Sequence, residues 1–314
     1  MELWITGLLF LLGLLLIVKG GDWFLEGAVW LAEITGLPRF LIGATVVSLV
    51  TTLPELIVSV MGVWEGEVDL AVGNAVGSVT ANLGLILGLS AAWMPIEVTR
   101  TQFDLKAVMM CSAAGILWLL CRHGQLWLVH SLLLLGVFLT SVASAGIDAR
   151  RTLPQEAGRA RGSYSRAGGK VLLLTVGIGG ILVGSQLLIR SGGRLALLLG
   201  IPPAVVGVTM VAVGTSLPEL VTAVTALRRR EAALSIGNII GANIIDLTLI
   251  LPACALVSGG ELPVSRQTAA LDLPVCLGLC LLSSVPPLLT GRFFRWQGAG
   301  ILLCYALYLR GLFL

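Results

Sequence analysis

The sequence contains little charge for its length. Of its 314 residues, 57% are hydrophobic and only 12% are charged, and the mean hydropathy is +0.99. A soluble domain carries about 25% charged residues, so a soluble globular protein is excluded. Many windows of about 20 residues lack charge almost entirely, which is the length that a helix needs to cross a bilayer. The apolar residues show no period-two alternation, which argues against a membrane β-barrel.

Histidines are scarce, and the cysteines lack a ligand pattern. The sequence has two histidines and six cysteines, and no two cysteines have the CxxC spacing of a zinc or redox site. All six cysteines fall inside or at the ends of apolar stretches, where we expect them to pack as small apolar side chains. The sequence therefore predicts no permanently bound cofactor and no nucleic-acid partner, and the lipid bilayer is its expected surrounding.

The apolar stretches predict an all-α polytopic membrane protein with ten transmembrane helices. The predicted spans are 3–18, 39–63, 69–92, 104–121, 126–146, 170–190, 204–227, 232–257, 270–290 and 294–313. A helical continuation of the sixth span toward Leu199 is left open.

The basic residues predict the orientation of these spans. With the N-terminus outside, 15 Lys and Arg residues fall on the inner side and 5 on the outer side. Positively charged residues concentrate on the cytoplasmic side of membrane proteins. We therefore expect both termini outside and the basic 147–169 loop in the cytoplasm, in the inner (plasma) membrane of a bacterium or archaeon.

The chain contains an internal repeat with an offset of 164 residues. Between 36–88 and 200–252, 20 of 53 positions are identical without a gap, and the matches include Pro, Glu, Asn and Gly. The clearest pair is Leu53-Pro54-Glu55-Leu56 with Leu217-Pro218-Glu219-Leu220. Low-complexity apolar sequence alone does not align such residues.

The repeat predicts the domain organisation. Each half holds five spans, an odd number, so the second half must be inverted relative to the first. We expect a first inverted repeat at 1–146, a linker at 147–169 and a second repeat at 170–314. In secondary transporters with this architecture the substrate site lies near the midplane, where the repeats meet.

Acidic residues stand in the middle of the repeated apolar segments. Glu55 and Glu219 occupy corresponding positions, as do Asn82 and Asp246. A charged residue at the bilayer centre costs about 2.5–3.5 kcal/mol on insertion scales unless it is paired or faces a polar cavity. The interiors of these spans contain no Lys or Arg. Cations or protons from outside the protein are therefore the expected counter-charges.

The prolines beside these acids predict exposed backbone oxygens. Pro54 has no N–H and clashes with the carbonyl of Val50, which opens the preceding turn, so we expect the carbonyls of Leu49, Val50 and Ser48 to be freed from helix bonding. Pro218 does the same near Ala212. Hydroxyl groups lie on the same two turns: Thr51, Thr52, Thr215 and Ser216. Two such segments facing each other supply an all-oxygen cage, and Ca²⁺ takes about 6–8 oxygens at about 2.3–2.6 Å.

The helix after each acidic motif carries further shared residues. We expect Asn74 and Asn238 to hydrogen-bond across helices and hold the cage. We also expect the neighbouring glycines to allow close helix approach: Gly73, Gly77, Gly237 and Gly241.

These two segments resemble the alpha-repeats of the sodium/calcium exchanger family, within the calcium/cation antiporter superfamily. The resemblance implies that Glu55 and Glu219 are the central calcium ligands. It assigns the remaining ligands by position: hydroxyls and carbonyls of Thr51 and Thr215 for calcium and sodium, Thr52, Ser216 and the carbonyls of Ser48 and Ala212 for sodium, and Ser78, Asn82 and Asp246 to complete the cage.

Three positions bear on the coupling ion. Val50 stands where the family has Gly, and Ala242 stands where it has Ser, which removes a hydroxyl from an implied sodium site. Asp246, in place of a second Asn, resembles the potassium-dependent branch but also occurs in prokaryotic members that do not need potassium. The residues therefore leave the sodium stoichiometry open.

We interpret the chain as an antiporter, not an enzyme, that exchanges Ca²⁺ for Na⁺ by alternating access. The alternatives are an antiporter of Ca²⁺ or another divalent cation with H⁺, and a K⁺-dependent Na⁺/Ca²⁺ exchanger. An intramembrane enzyme would need a nucleophile arrangement, and the sequence has none near the motif. A single midplane site formed by two inverted halves fits alternating access better than an open channel. The expected partners are Ca²⁺, Na⁺ and lipid. The sequence leaves the oligomeric state open and is compatible with a monomer.

Overall fold

The computed structural model describes residues 2–66, 68–156, 167–198 and 216–312, and helices dominate it as the apolar stretches predict. The first half contains α1 (Glu2–Thr35), α2 (Arg39–Ile42), α3 (Ser48–Thr51), α4 (Leu53–Trp64), α5 (Val68–Ala81), α6 (Gly88–Trp93), α7 (Arg100–Cys121) and α8 (Leu128–Glu156). The second half contains α9 (Ala167–Leu198), α10 (Leu217–Arg228), α11 (Ala232–Ile245), α12 (Leu251–Val257), α13 (Leu273–Thr290) and α14 (Arg295–Leu312).

Short π-helical stretches link several of these helices. They are Gly43–Val47, Asn82–Leu87, Asp246–Ile250 and Thr268–Asp272. Two of them begin at Asn82 and Asp246, which correspond in the repeat because 82 plus 164 is 246. A π-turn widens the helix by one residue and is frequent at functional sites. The sequence contained no signal from which we predicted these turns.

The second span is broken where the proline predicts it. The segments Arg39–Thr51 and Leu53–Trp64 are bent by 41° relative to each other. Pro54 stands in the first turn of α4, where its missing N–H costs no helical bond. The expectation that the Ser48 carbonyl is freed is wrong, because it accepts the Thr52 N–H at 2.9 Å. A carbonyl has a second lone pair, so this bond does not prevent it from contacting an ion.

Six helices in the described part of the chain are long and apolar enough to cross a membrane, and seven if the bent pair forms one span. The predicted first span is too short: α1 continues to Thr35, far beyond residue 18. The predicted fifth span is also too short, since α8 continues to Glu156. Of the predicted span 204–227, the structure describes only α10 and the preceding Ser216.

The extension of α1 has a physical cause. With the first span predicted to end at residue 18, Asp22 and Glu26 would lie in a solvated connection to the second span. Instead Asp22 pairs with Arg229 at 3.2 Å, and Glu26 pairs with Lys170 at 2.6 Å. These partners come from α9 and from the turn after α10, so tertiary contacts stabilise charged residues on a helix that sequence alone would end.

Two short strand pairs join the halves of the chain. Strand β1 (Ile96–Glu97) pairs with β4 (Arg292–Phe293), with Ile96 opposite Phe293. Strand β2 (Gln125–Trp127) pairs with β3 (Glu261–Pro263), with Leu126 opposite Leu262. Helix α7 separates β1 from β2 in the chain, so the two pairs lie at opposite ends of this helix. The pairs thus hold both ends of the bundle together.

The segment Arg39–Thr51 and helix α11 approach each other closely through glycine. A Cβ atom placed on Gly241 would lie 2.6 Å from the Ser48 Oγ and 2.7 Å from the Ala44 Cα. A Cβ on Gly237 would meet the backbone of Phe40 and lie 3.0 Å from the Ala44 N. The predicted close approach is therefore confirmed for these two glycines. For Gly73 and Gly77, no described atom lies within 4 Å of such a Cβ.

Candidate functional site

Three carboxyl groups are buried together inside the helix bundle. Glu55 lies in the first turn of α4, Glu219 in the first turn of α10, and Asp246 at the start of a π-helical stretch. Each is only 1% exposed. Glu55 interacts electrostatically with both other acids, and Asp246 interacts with Glu219. Within the described residues, none of the three forms an ion pair.

Unsatisfied oxygen atoms surround these acids. The described chain has twelve buried side-chain polar atoms without a hydrogen-bond partner, and nine of them are oxygens of the predicted site. They are Thr52 Oγ1, Glu55 Oε2, Ser78 Oγ, Asn82 Oδ1, Ser216 Oγ, Glu219 Oε1 and Oε2, and Asp246 Oδ1 and Oδ2. We call these seven residues the oxygen cluster. Buried polar atoms without a partner cost about 1–3 kcal/mol each, so this concentration calls for a function.

Thr51 and Thr52 connect the first half of the chain to the second. The Thr51 hydroxyl donates to Asn238 Oδ1 at 3.2 Å. Both threonines also lie beside the Glu219 carboxyl group, although neither meets the distance and angle of a hydrogen bond to it. Hydroxyls from one half thus stand at the carboxylate of the other half. This is the arrangement that two facing motifs predict.

Asn74 and Asn238 make the expected bonds between helices. Asn74 Nδ2 donates to Ser59 Oγ at 3.0 Å and to the Glu55 carbonyl at 3.3 Å. Asn238 Nδ2 donates to Thr222 Oγ1 at 3.0 Å. These bonds tie each acidic helix to the helix that follows it.

Sequence reasoning missed Ser59 and Thr222, the acceptors of these amides. A signal was present, because Ser59 follows Glu55 by four residues and Thr222 follows Glu219 by three. Such spacings place side chains on one helix face. Thr222 also donates to the Glu219 carbonyl at 2.9 Å, which keeps its oxygen available to Asn238.

Asn243 is a third residue to which the sequence analysis assigned no role. Its Oδ1 accepts the Asn82 Nδ2 at 3.1 Å, across 161 residues of chain. Its own Nδ2 donates to the Met110 Sδ at 3.5 Å. Both asparagines are fully buried. A hydrogen bond between residues this distant in the chain has no local spacing that could predict it.

The remaining predicted residues are distributed as follows. Ser48 is buried, but its hydroxyl donates to the Thr45 carbonyl at 3.2 Å. Ala242 is also buried and supplies no hydroxyl. Thr215 and Ala212 lie outside the described residues.

One lysine is placed differently from the expectation. Lys106 is one of the 15 basic residues counted on the inner side, yet it is buried in α7 and only 3% exposed. Its Nζ donates to the Ser141 carbonyl at 2.5 Å and to the Ser141 Oγ at 2.8 Å. It therefore binds α8 and not one of the three acids.

The oxygen cluster is suited to a hard cation. No group of three His, Cys, Asp or Glu side chains among the described residues could hold a metal ion by itself. Hydroxyl, amide and carbonyl oxygens must therefore complete any cation shell. All six cysteines are free thiols, and no described side-chain nitrogen donor satisfies the acids. Oxygen ligands with net negative charge favour hard cations such as Ca²⁺ and Na⁺.

Comparison with known proteins points to one family. The model of a family described as "Sodium/calcium exchanger protein" matches residues 5–145 and 169–314. Inner membrane protein YrbG of Escherichia coli is 35% identical over 309 residues, covering 92% of this chain and 94% of that protein. The sodium/calcium exchanger MaX1 of Methanosarcina acetivorans is 28% identical over 347 residues, covering 98% of both chains.

A solved structure shares the fold at full length. The sodium-calcium exchanger NCX_Mj, soaked with 2.5 mM Na⁺ and 10 mM Sr²⁺, superposes with a TM-score of 0.87 at 28% sequence identity. The match covers 98% of this chain and 99% of that one.

Proposed function

Because this chain belongs to the sodium/calcium exchanger family, we propose that it exchanges Ca²⁺ for Na⁺ across a membrane by alternating access. The observation that carries the proposal is the oxygen cluster: nine buried oxygens without partners, centred on three acids without a basic neighbour in the described chain. Such a cluster is stable only when positive charge enters it. The full-length match to MaX1, a protein named a sodium/calcium exchanger, supports the choice of ions.

We assign the transported ions to the ligands that the resemblance implies. Glu55 and Glu219 carry the charge that balances Ca²⁺, and their burial beside each other makes an empty, ionised site costly. The other proposed ligands are Thr51, Thr52, Ser48, Ser78, Asn82, Thr215, Ser216, Ala212 and Asp246. Ca²⁺ and Na⁺ are cargo here, and no resident cofactor is needed.

The charge of the site explains why transport is an exchange. With Glu55 and Glu219 ionised, the empty site holds about two negative charges in a medium of low dielectric, and moving it between the two sides is unfavourable. One Ca²⁺ or several Na⁺ ions neutralise that charge. Only occupied forms then change sides, so inward movement of one ion requires outward movement of the other.

We further propose ten spans arranged as two inverted repeats, 1–146 and 170–314, joined by the 147–169 linker. Three observations support this architecture. The strand pairs β1–β4 and β2–β3 join the halves at opposite ends of α7. The π-helical stretches at Asn82 and Asp246 occupy corresponding repeat positions. The two acidic helices α4 and α10 each begin with the same Leu-Pro-Glu-Leu segment.

The proposed orientation puts both termini outside and the 147–169 loop in the cytoplasm of a prokaryotic cell. The ion pairs Asp22–Arg229, Glu26–Lys170 and Arg39–Glu231 all come from segments that this orientation assigns to the cytoplasmic side. A concentration of paired charges there agrees with the excess of Lys and Arg expected on that side.

Reconstitution tests the exchange directly. The purified chain is placed in Na⁺-loaded liposomes, and uptake of radioactive Ca²⁺ is measured after dilution into Na⁺-free buffer. We expect rapid uptake that stops when an ionophore collapses the Na⁺ gradient and that does not require K⁺ on either side. Uptake driven by a pH gradient alone, with no response to Na⁺, would instead establish a Ca²⁺/H⁺ antiporter, the reading that the missing hydroxyl at Ala242 favours.

A further inference from the structure

We propose that Asn243 is a positioning residue that turns the Asn82 amide so that its oxygen faces the transported cation. This inference rests on the proposed function of the oxygen cluster. An asparagine amide has one end that attracts a cation and one end that repels it, and the two ends have almost the same shape. A cation ligand of this type therefore needs something that selects its orientation.

The hydrogen bonds around Asn82 supply that selection. Its Nδ2 is held by Asn243 Oδ1 at 3.1 Å, while its Oδ1 is buried without a partner in the described structure. The amino group is thus occupied by Asn243. The oxygen is the atom left available.

Met110 determines which way the Asn243 amide points. The Met110 Sδ lies 3.5 Å from the Asn243 Nδ2. A thioether can accept a hydrogen bond weakly but cannot donate one. If Asn243 turned over, its oxygen would face the sulfur without a donor and its amino group would meet the Asn82 amide. Asn82 would then be driven to expose its own amino group to the cation.

The repeat shows where such a device is needed. Asp246 corresponds to Asn82 in the repeat. The Asp246 carboxyl group presents an oxygen to a cation whichever way it is turned, because both of its terminal atoms are oxygens. The residue that corresponds to Asn243 in the first repeat is Val79, since 79 plus 164 is 243. Val79 is fully buried and has no polar atom to offer. The amide ligand thus has an orienting partner, whereas the carboxyl ligand has none at the equivalent position.

A double-mutant cycle tests the inference. Asn243→Val introduces the residue of the first repeat, and Asn82→Asp replaces the amide with a group that needs no orientation. We expect Asn243→Val to raise the Ca²⁺ concentration for half-maximal uptake about tenfold with Asn82 present. In the Asn82→Asp background we expect the same substitution to change that concentration less than about twofold.

The control separates orientation from packing. Val79→Ala trims the equivalent buried position and removes no hydrogen-bonding side chain, so its effect should be the same in both backgrounds. If Asn82→Asp transports too slowly to measure, the rise in melting temperature on adding Ca²⁺ in detergent provides the same comparison without transport.

The possible results are distinct. An equal penalty from Asn243→Val in both backgrounds, or no penalty in either, overturns the orienting role while wild-type exchange remains intact. Failure of the wild-type chain to exchange Ca²⁺ for Na⁺ would instead overturn the proposed function itself.

Discussion

The acids of the oxygen cluster and the acids at the helix ends differ in what neutralises them. Glu55 and Glu219 are 1% exposed and have no basic partner in the described chain. Asp22 and Glu26 keep about a third or more of their side chains exposed, yet each binds a basic residue within 3.2 Å. In the described part of the chain, these two partly exposed acids have basic partners, whereas the two buried acids have none.

This difference indicates separate purposes for the two groups. Exposed ion pairs contribute roughly 0–1 kcal/mol and tolerate loss, so they serve the local order of the helices. Arg39 and Glu231, at 2.9 Å, belong to this group, although burial raises the pKa of the Glu231 carboxyl and the Arg39 guanidinium opposes that rise. Under the proposed function, a transported cation neutralises the buried acids in place of a basic side chain.

Neutralising a cluster acid should have the largest effect. We expect Glu55→Gln and Glu219→Gln each to lower Na⁺-driven Ca²⁺ uptake by about a hundredfold or more, because removing one partner of a buried charge interaction costs about 2–5 kcal/mol. Uptake of radioactive Ca²⁺ into liposomes, at matched protein content, measures the loss.

Glu26→Gln is the matched control, since it removes a paired acid with the same change of side chain. It should retain most of the uptake. Wild-type transport by Glu219→Gln would show that the cluster acids are structural, and the contrast between the two regions would disappear.

Ligand-dependent stability should give an intermediate effect. Without cations the cluster acids repel one another, so Ca²⁺ at about 100 times its dissociation constant should stabilise the wild type by about 2.7 kcal/mol. We expect Ca²⁺ to raise the melting temperature of the wild type clearly, as measured by thermal unfolding in detergent. In Glu219→Gln the cation-free protein should melt higher than the wild type, and Ca²⁺ should add little.

An unchanged Ca²⁺ response in Glu219→Gln would contradict this expectation. It would place the bound ion away from the oxygen cluster.

Breaking an ion pair at the helix ends should have the smallest effect. Asp22→Asn removes the half-exposed pair with Arg229, and we expect a loss of under about 1 kcal/mol in stability and an exchange rate within about twofold of the wild type. Raising the salt concentration should reduce the difference further, because mobile ions screen exposed charges. A loss of transport as large as that of Glu55→Gln would mean that this pair controls the transport cycle.

Much of the site could be predicted from a few residues. The repeated Leu-Pro-Glu-Leu segments predicted two acids inside the bundle, and the structure buries Glu55 and Glu219 there, while their role as ion ligands stays a prediction. The break of the second span follows from Pro54. Asn74 and Asn238 were assigned cross-helix bonds, which the structure shows. These inferences succeeded because a buried acid, a buried amide or a proline within a helix costs free energy wherever it lies in a membrane.

Other features depend on residues far apart in the chain. The helix α1 extends through Asp22 and Glu26, where its side chains Phe24, Leu25 and Ala28 pack in a core with α9 and the two acids pair with Arg229 and Lys170. Lys106 can be buried because the carbonyl and hydroxyl oxygens of Ser141, on another helix, accept hydrogen bonds from its Nζ. No pattern within about twenty residues contains this information.

The sequence by itself determined that this is a helical membrane protein with two corresponding acidic segments, because hydrophobicity and the cost of burying charge are properties of each residue. Only the tertiary structure decided that α1 is long, and that the Asn82 amide is held by Asn243, because these depend on which side chains meet across the bundle. The physical reason is that each residue's hydrophobicity is its own property. The hydrogen-bond partner of a buried polar atom, in contrast, depends on which helices pack together.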